Sequence, residues 1–317
     1  MRISVFLPLL LPLLAAVSAR WLAARLDPKI ATWTFTAAAV GLAAAGGFAL
    51  AALAATGVGQ IPLLAWAGEW SVQVLRRNAP ASLAIAPVAC VLLAAALAAT
   101  GRALLRRSAA LLDAARTARR LPVTGSVDHV VVLDGAVPDA YAVPGVPGRI
   151  VVSTAMLDAL DERERRVLLA HERAHLAGRH HVFVALAHVA AASNPLLRPV
   201  AAAVRYSTER WADEQAARTV GDRRLVARTI GKAALLGRHD HAAPAATLPI
   251  AGLAKDLSAR PRRLGPIPRR VAALLVAPHR YRRALAVVVM AVLVLATLSS
   301  VDTALDLHTL FELAETP

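Results

Sequence analysis

The stretch from His171 to His181, HERAHLAGRHH, has the residue types and the spacing that metal-dependent hydrolysis needs. It opens with H-E-x-x-H. Positions i and i+4 share one face of a helix, so His171 and His175 can bind the same metal ion. The carboxylate of Glu172 then lies where it can act as a general base on a metal-bound water. This pattern is typical of zinc peptidases, which also need a third protein ligand.

A later segment, Tyr206 to Gln215 (YSTERWADEQ), offers that third ligand. Glu209 can bind the metal through its carboxylate. Asp213 lies one turn further along the same helix face, where it can accept a hydrogen bond from a ligand histidine. Such a carboxylate fixes the tautomer and the orientation of the histidine ring. We therefore predict one Zn²⁺ ion held by His171, His175 and Glu209, with Asp213 behind a ligand.

A competing third ligand is His181, because the same stretch also completes H-E-x-x-H-x-x-G-x-x-H with a turn at Gly178. That class of peptidase needs a methionine turn beneath the metal, but the three methionines, Met1, Met156 and Met290, do not follow the motif at a suitable distance. The residues after His181 are predicted to continue as buried helix, with His180 and His181 as a polar helix end. Glu209 is the favoured ligand.

The elements that must position these residues form a helix-dominated α+β domain. Asp161 is predicted to cap the motif helix, with Glu164 as its capping-box partner. Asn194-Pro195 separates this helix from the next one. Two runs rich in β-branched residues, Val127 to Leu133 and Arg149 to Ser153, predict strands, with a short strand and a turn in 140–148 between them; residues 237–268 are Pro-rich and irregular.

Four apolar stretches are too long for the core of a soluble domain. The chain is 57% hydrophobic, and Ile30 to Gly68 contains no charged residue. Runs of about 18 or more apolar residues predict membrane spans. The predicted spans are residues 3–24, 31–56, 81–103 and 284–301. We expect three transmembrane helices in residues 1–103, a cytoplasmic zinc metallopeptidase domain in 104–283, and the fourth helix with a short extracellular tail in 284–317.

Charge sets the predicted orientation in the membrane. The first span could be a cleaved signal peptide, but Arg20, Arg25 and Lys29 would then lie outside, against the positive-inside rule. With that loop inside, the N-terminus and the C-terminus are both extracellular and the peptidase domain is cytoplasmic. Clusters of arginine after the third span and before the fourth agree with this orientation; Arg76 and Arg77, in the predicted outer loop, do not.

The composition narrows the choice of partners. The net charge of +15 would allow a nucleic-acid partner. Basic segments beside membrane spans, however, also face anionic lipid, so membrane lipid is the expected partner and no direct nucleic-acid binding is expected. The one cysteine, Cys90, lies in the third predicted span. A disulfide within the chain and a zinc site built from several cysteines are therefore both excluded.

The motifs H-E-R-A-H and E-R-W-A-D, in a block between a third and a fourth span, resemble the M56 family of membrane metallopeptidases, the family of the BlaR/MecR-type β-lactam sensors. The wider resemblance is to the gluzincin group, which includes the M48 peptidases such as HtpX and the CAAX prenyl proteases. The segment GPIPRRVAALL is similar to a family segment that carries an arginine, which places Arg270 at that position.

The resemblance implies a membrane α-helical protein with four transmembrane helices and an inserted gluzincin-like zinc peptidase domain. It implies zinc on His171, His175 and Glu209, with Glu172 catalytic. Arg270 and Tyr141 are weaker candidates for contacts with the substrate or the oxyanion. An edge strand, either Tyr141 to Val143 or Ile150 to Val152, would bind the substrate by strand addition.

The expected activity is endopeptidase cleavage of a protein substrate at the cytoplasmic face. In the BlaR-like branch that substrate would be a BlaI/MecI-type repressor. The chain shows only about 16 residues after the fourth span instead of a large extracellular sensor, so β-lactam sensing by that route is not expected. The alternatives are an HtpX-like quality-control protease and a non-catalytic signalling scaffold. The carboxylate of Glu172 argues against the scaffold, because a structural zinc site does not need it.

Overall fold

Long helices dominate the protein. A computed structural model describes residues 3–79, 82–120, 129–236, 248–249, 265–276 and 283–315. The helices are α1 Leu7–Arg25, α2 Pro28–Val58, α3 Pro62–Ala67, α4 Val72–Asn78, α5 Ser82–Arg120, α6 Thr154–Ala159, α7 Glu162–Ala177, α8 His180–Ser193, α9 Arg198–Val220, α10 Arg223–Leu236, α11 Pro266–Leu275 and α12 Arg283–Glu315. The strands are β1 Val130–Leu133, β2 Ala140–Val143, β3 Arg149–Ser153 and β4 Leu248–Pro249.

Four of these helices, α1, α2, α5 and α12, are long and apolar enough to cross a membrane. They cover most of each predicted span, although α1 begins at Leu7 and not at residue 3, and two of them run well beyond the predicted ends. Helix α5 continues to Arg120, well past the predicted end of the third span at residue 103. Helix α12 continues to Glu315, so most of the predicted tail is helical. Polar residues end a membrane span but need not end the helix that carries it. The orientation of the helices in the membrane stays a prediction.

The small sheet has the strand order β1-β3-β2-β4. Strand β3 is parallel to β1 and antiparallel to β2, and all five of its residues are buried. The prediction of Ile150 to Val152 as an edge strand is therefore wrong, because that strand has a neighbour on each side. Strand β2 pairs with β3 on one side, and on the other Tyr141 and Ala142 pair with β4. The other predicted edge strand, Tyr141 to Val143, is therefore also covered, at its first two residues. The first predicted strand begins at Val130; residues 127 and 128 lie outside the described ranges, as does most of the Pro-rich segment 237–268.

The motif helix α7 begins as its sequence predicts. The Glu164 backbone N–H donates to the Asp161 carboxylate over 2.8 Å, and the Asp161 backbone N–H donates to the Glu164 carboxylate over 3.1 Å. This reciprocal pair is a complete capping box. Two backbone donors that the first turn would leave without a partner are thereby satisfied, which fixes where the helix starts.

Helices α8 and α9 share a core with the apolar helices α1 and α2. The ring of Trp33 on α2 lies 4.7 Å from the ring of Phe183 on α8, edge to face. On α9, the Arg210 guanidinium donates to the carbonyl of Ala23 at the end of α1. Helices α8 and α9 of the motif domain are therefore packed against the membrane-span candidates.

Candidate metal centre

Two helices bring three metal-ligand side chains together. Helix α7 places His171 and His175 on one face, and α9 places Glu209 opposite them. The two histidine Nε2 atoms lie 3.1 Å apart. The Glu209 carboxylate oxygens lie 3.6 Å from His175 Nε2 and 3.8 Å from His171 Nε2. Each of the three residues is at most 3% exposed, and the three ligand atoms lie within 4.8 Å of one another.

This donor set fits a zinc ion. Bonds of about 2.0–2.1 Å in a tetrahedral site hold neighbouring donor atoms roughly 3.3 Å apart, close to the separations seen here. Two imidazoles and one carboxylate are also a common ligand set of hydrolytic zinc, which keeps the fourth position for water.

Glu172 lies at the same site on α7 and is fully buried. Burial raises the pKa of its carboxyl well above the usual range, and the negative charge of Glu209 raises the pKa further. The backbone amide of Ala142 on β2 and the charge of Arg270 act in the opposite direction but do not cancel the rise. A carboxylate with a raised pKa accepts a proton readily, as a general base must.

Asp213 lies behind His171, as the sequence predicts, and Arg270 lies behind Asp213. The Asp213 carboxylate is 3.1 Å from His171 Nδ1. The Arg270 guanidinium donates two hydrogen bonds to Asp213, of 2.8 and 2.6 Å, and forms a 2.7 Å ion pair with Glu209. Burial raises the pKa of Asp213, but the charge and hydrogen bonds of Arg270 outweigh it and lower the pKa to about 2. Asp213 therefore stays ionised.

The structure does not place Arg270 as a substrate contact. Its side chain is 0% exposed, and its guanidinium is directed at Asp213 and Glu209. Burial lowers the pKa of this guanidinium, and the two carboxylates more than reverse the effect. In place of the predicted oxyanion contact, Arg270 pairs with the carboxylate of the ligand Glu209 and with that of Asp213.

Tyr141 is also placed differently from the prediction. Successive residues of a strand point to opposite faces of a sheet. Ala140 packs on the α7 side, together with Leu168. Tyr141 packs on the other side, against Ala114 and Ala118 of α5. Its phenol is therefore directed away from the metal-ligand cluster.

His180 is a residue at the site that the sequence interpretation missed. Helix α7 ends at Ala177, the left-handed residue Arg179 turns the chain, and α8 begins at His180. The prediction of an uninterrupted helix and of a polar helix end is therefore wrong for His180, which is 0% exposed. Its Nδ1 lies 2.9 Å from Nδ1 of His175. His181 is only half-buried and is not part of the ligand cluster.

The comparison with known families agrees with the class of site. A model of Peptidase family M48 matches residues 103–279, more than half of the chain. The chain belongs to this family. No curated protein and no solved structure matches it. The protein is therefore a metallopeptidase of the M48 type with four apolar helices, and membership of the BlaR-like M56 branch is not confirmed.

Proposed function

We propose that this protein is a membrane-embedded zinc endopeptidase that hydrolyses a polypeptide at the cytoplasmic face of the membrane. The observation that carries the proposal is the convergence of His171, His175 and Glu209 beside the buried Glu172. Bound zinc would supply a Lewis acid and a water of lowered pKa. A site that only stabilised the fold would not need the carboxylate of Glu172 in addition to the three ligands.

Each residue of the site has a separate role in peptide-bond hydrolysis. Glu172 accepts a proton from the attacking water on its carboxylate and passes it to the leaving amine. The imidazoles of His171 and His175 and the carboxylate of Glu209 hold the ion. Asp213 keeps the His171 ring in one orientation through Nδ1, and Arg270 balances the negative charge of Glu209 and Asp213.

Strand β2 supports a way of holding the substrate. The backbone amide of Ala142 lies near enough to Glu172 to lower the pKa of its carboxyl. The outer edge of β2 already accepts an antiparallel segment, since Tyr141 and Ala142 pair with Leu248 and Pro249 of the same chain. An extended substrate would take the same edge by strand addition and would have to replace this two-residue pairing.

We propose a membrane-associated polypeptide as the substrate. The shared core of α8, α9, α1 and α2 supports this choice, because it holds the site against helices that are apolar enough to lie in the bilayer. A soluble BlaI/MecI-type repressor is the alternative substrate, and the M48 match gives it no specific support. The proposed orientation, with both termini outside, rests on the positions of the arginines.

The test is peptide-bond cleavage by the full chain purified in detergent with one equivalent of zinc. Casein and a peptide from the cytoplasmic loop of a membrane protein serve as substrates. Glu172→Gln keeps the size of the side chain and removes the base, so cleavage should fall by at least about 100-fold. Glu162→Gln is the matched control, an exposed glutamate on the same helix, and should cleave like the wild type.

Two results would contradict the proposal. Equal cleavage by the wild type and Glu172→Gln would exclude Glu172 as the base. Zinc binding without cleavage of either substrate, or of a repressor, would favour the non-catalytic scaffold.

A further inference from the structure

The roles assigned above do not account for the contact between His180 and His175. His175 directs Nε2 toward His171 and Glu209, and directs Nδ1 toward His180. The two rings lie 4.8 Å apart, nearly perpendicular. Within the described residues, the other nitrogen of His180, Nε2, is buried and has no hydrogen-bond partner. The polar contact that His180 makes is therefore the one with the metal-ligand histidine.

The direction of the hydrogen bond follows from the chemistry of imidazole. A neutral imidazole has one N–H donor and one acceptor nitrogen. When Nε2 of His175 offers its lone pair to a metal, the proton of His175 must be on Nδ1. That N–H can be donated to His180 only if Nδ1 of His180 is the acceptor, so the proton of His180 is on Nε2. This tautomer pair is inferred from the geometry of the rings.

The surroundings hold the His180 ring in place. The ring of Trp211 on α9 lies 4.6 Å away. Gly178 also lies against the ring, where an added Cβ would lie 2.4 Å from His180 Nε2 and 2.6 Å from Cδ2. The φ of Gly178 is −78°, which any residue can adopt. The glycine is therefore required by the space that the His180 ring occupies and not by its own backbone conformation.

We propose that His180 is a positioning residue for zinc, which accepts the Nδ1–H of His175 and so fixes the tautomer and orientation of that ligand. The inference deepens the proposed function and rests on zinc binding at this site. It also gives a reason for the sequence that follows H-E-x-x-H. Gly178 makes room for the ring and Arg179 turns the chain, so His180 lies behind His175 and His181 does not join the ligands.

The first test compares zinc affinities of the full chain in detergent, measured by competition with a chromophoric chelator. His180→Phe keeps a ring beside Trp211 but has no acceptor. Loss of such a partner typically weakens metal binding about 10–100-fold. His180→Asn places an amide oxygen at the position of Nδ1 and should retain most of the affinity. His181→Phe is the matched control, an adjacent half-buried histidine, and should bind zinc like the wild type.

The second test uses the steric contact with Gly178. Gly178→Ala adds one methyl group that meets the His180 ring, so zinc affinity should fall by about 10-fold or more in the wild-type background. In the His180→Ala background the ring is absent, and the same methyl group should have little further effect. This non-additivity would show that the effect of Gly178 acts through His180.

Two further measurements separate positioning from a purely structural role. The visible absorption spectrum of the Co²⁺-substituted protein should change in His180→Phe and stay close to the wild type in His180→Asn. The thermal unfolding midpoint of the zinc-free protein should differ little between these two variants. A common loss of zinc-free stability, with equal affinities in the folded fractions, would indicate a structural role and overturn the proposal.

The outcomes distinguish this inference from the proposed function. Wild-type protein that binds no zinc would overturn both. Wild-type protein that binds one zinc and cleaves its substrate, with His180→Phe within twofold of its affinity, would overturn the inference alone. If His180→Phe fails to fold, the zinc affinities of His180→Asn and Gly178→Ala are compared instead. An equal loss of zinc affinity in both variants would contradict the proposal.

Discussion

The two histidines of the motif are four residues apart on one helix, yet the molecule supports them with different chemistry. Behind His171 is a charged group, the Asp213 carboxylate paired with the guanidinium of Arg270. Behind His175 is a neutral one, the imidazole of His180 packed against Trp211. Removal of a residue on the first side leaves a buried charge without its counterion, whereas removal on the second leaves a single N–H group without its acceptor.

The two sides also connect to different parts of the fold. Arg270 comes from α11, so the charged side joins α7, α9 and α11 within the peptidase domain. His180 begins α8, whose Phe183 lies 4.7 Å from Trp33 on the apolar helix α2. The His175 side is thus continuous with the core that holds the membrane-span candidates. We expect changes on the charged side to affect folding strongly and changes on the neutral side to affect mainly metal binding.

The largest effect is expected for Arg270→Leu, which leaves the carboxylates of Glu209 and Asp213 buried without a cation. Removal of one partner of a buried pair typically costs about 3–5 kcal/mol of unfolding free energy. The measurement is denaturant unfolding of the zinc-free protein in detergent. Arg269→Leu is the matched control at the neighbouring, half-buried position and should cost much less. Equal losses of unfolding free energy in Arg270→Leu and Arg269→Leu would show that the ion pairs of Arg270 add no specific stability.

The second largest loss of unfolding free energy is expected when the metal is removed. Zinc binds only the folded site, so at a free concentration 100 times the dissociation constant it adds about 2.7 kcal/mol to the unfolding free energy. A strong chelator should remove this increment in the wild type. In His180→Phe, at the same zinc concentration, the increment should be smaller. If zinc stabilises both proteins equally, the neutral side does not contribute to metal binding.

Asp213→Asn tests the charged side without changing the shape of the side chain. The amide loses the charge that pairs with Arg270 and is a weaker acceptor for His171. Zinc affinity should fall about 10–100-fold, and the zinc-free protein should also be less stable. His180→Asn should show neither large effect. If Asp213→Asn were as stable as the wild type without zinc, the charged side would not differ from the neutral side in its effect on folding.

The smallest effect is expected from the capping box, which supports both histidines through the start of α7. The backbone N–H of Glu164 lowers the pKa of Asp161. The stabilisation that Asp161 gives is therefore present above its unfolded pKa and is lost as pH falls through the lower folded value. The unfolding midpoint of Asp161→Asn should lie below that of the wild type at pH 7, and the gap should narrow in acid. A gap that is constant with pH would contradict this account.

The sequence by itself determined the local features of this protein. The capped helix, with His171, Glu172 and His175 at fixed positions around it, follows from a helical period of 3.6 residues and from one capping box. The four apolar helices follow from length and composition alone, because a bilayer sets both requirements. Helix periodicity also placed Glu209 and Asp213 on one face of α9, and the tertiary structure brings that face to the histidines.

Only the tertiary structure decided which side chains meet across elements. The sequence did not show that Arg270 is directed at Asp213 and Glu209, because that depends on how α11 packs against α9. Tyr141 turned out to face α5 because the pleat of β2 points it there. His180 gave no periodic signal, since a left-handed turn at Arg179 ends one helix and starts another. Periodicity encodes the faces of an element, whereas contacts between elements depend on the packing of the whole chain.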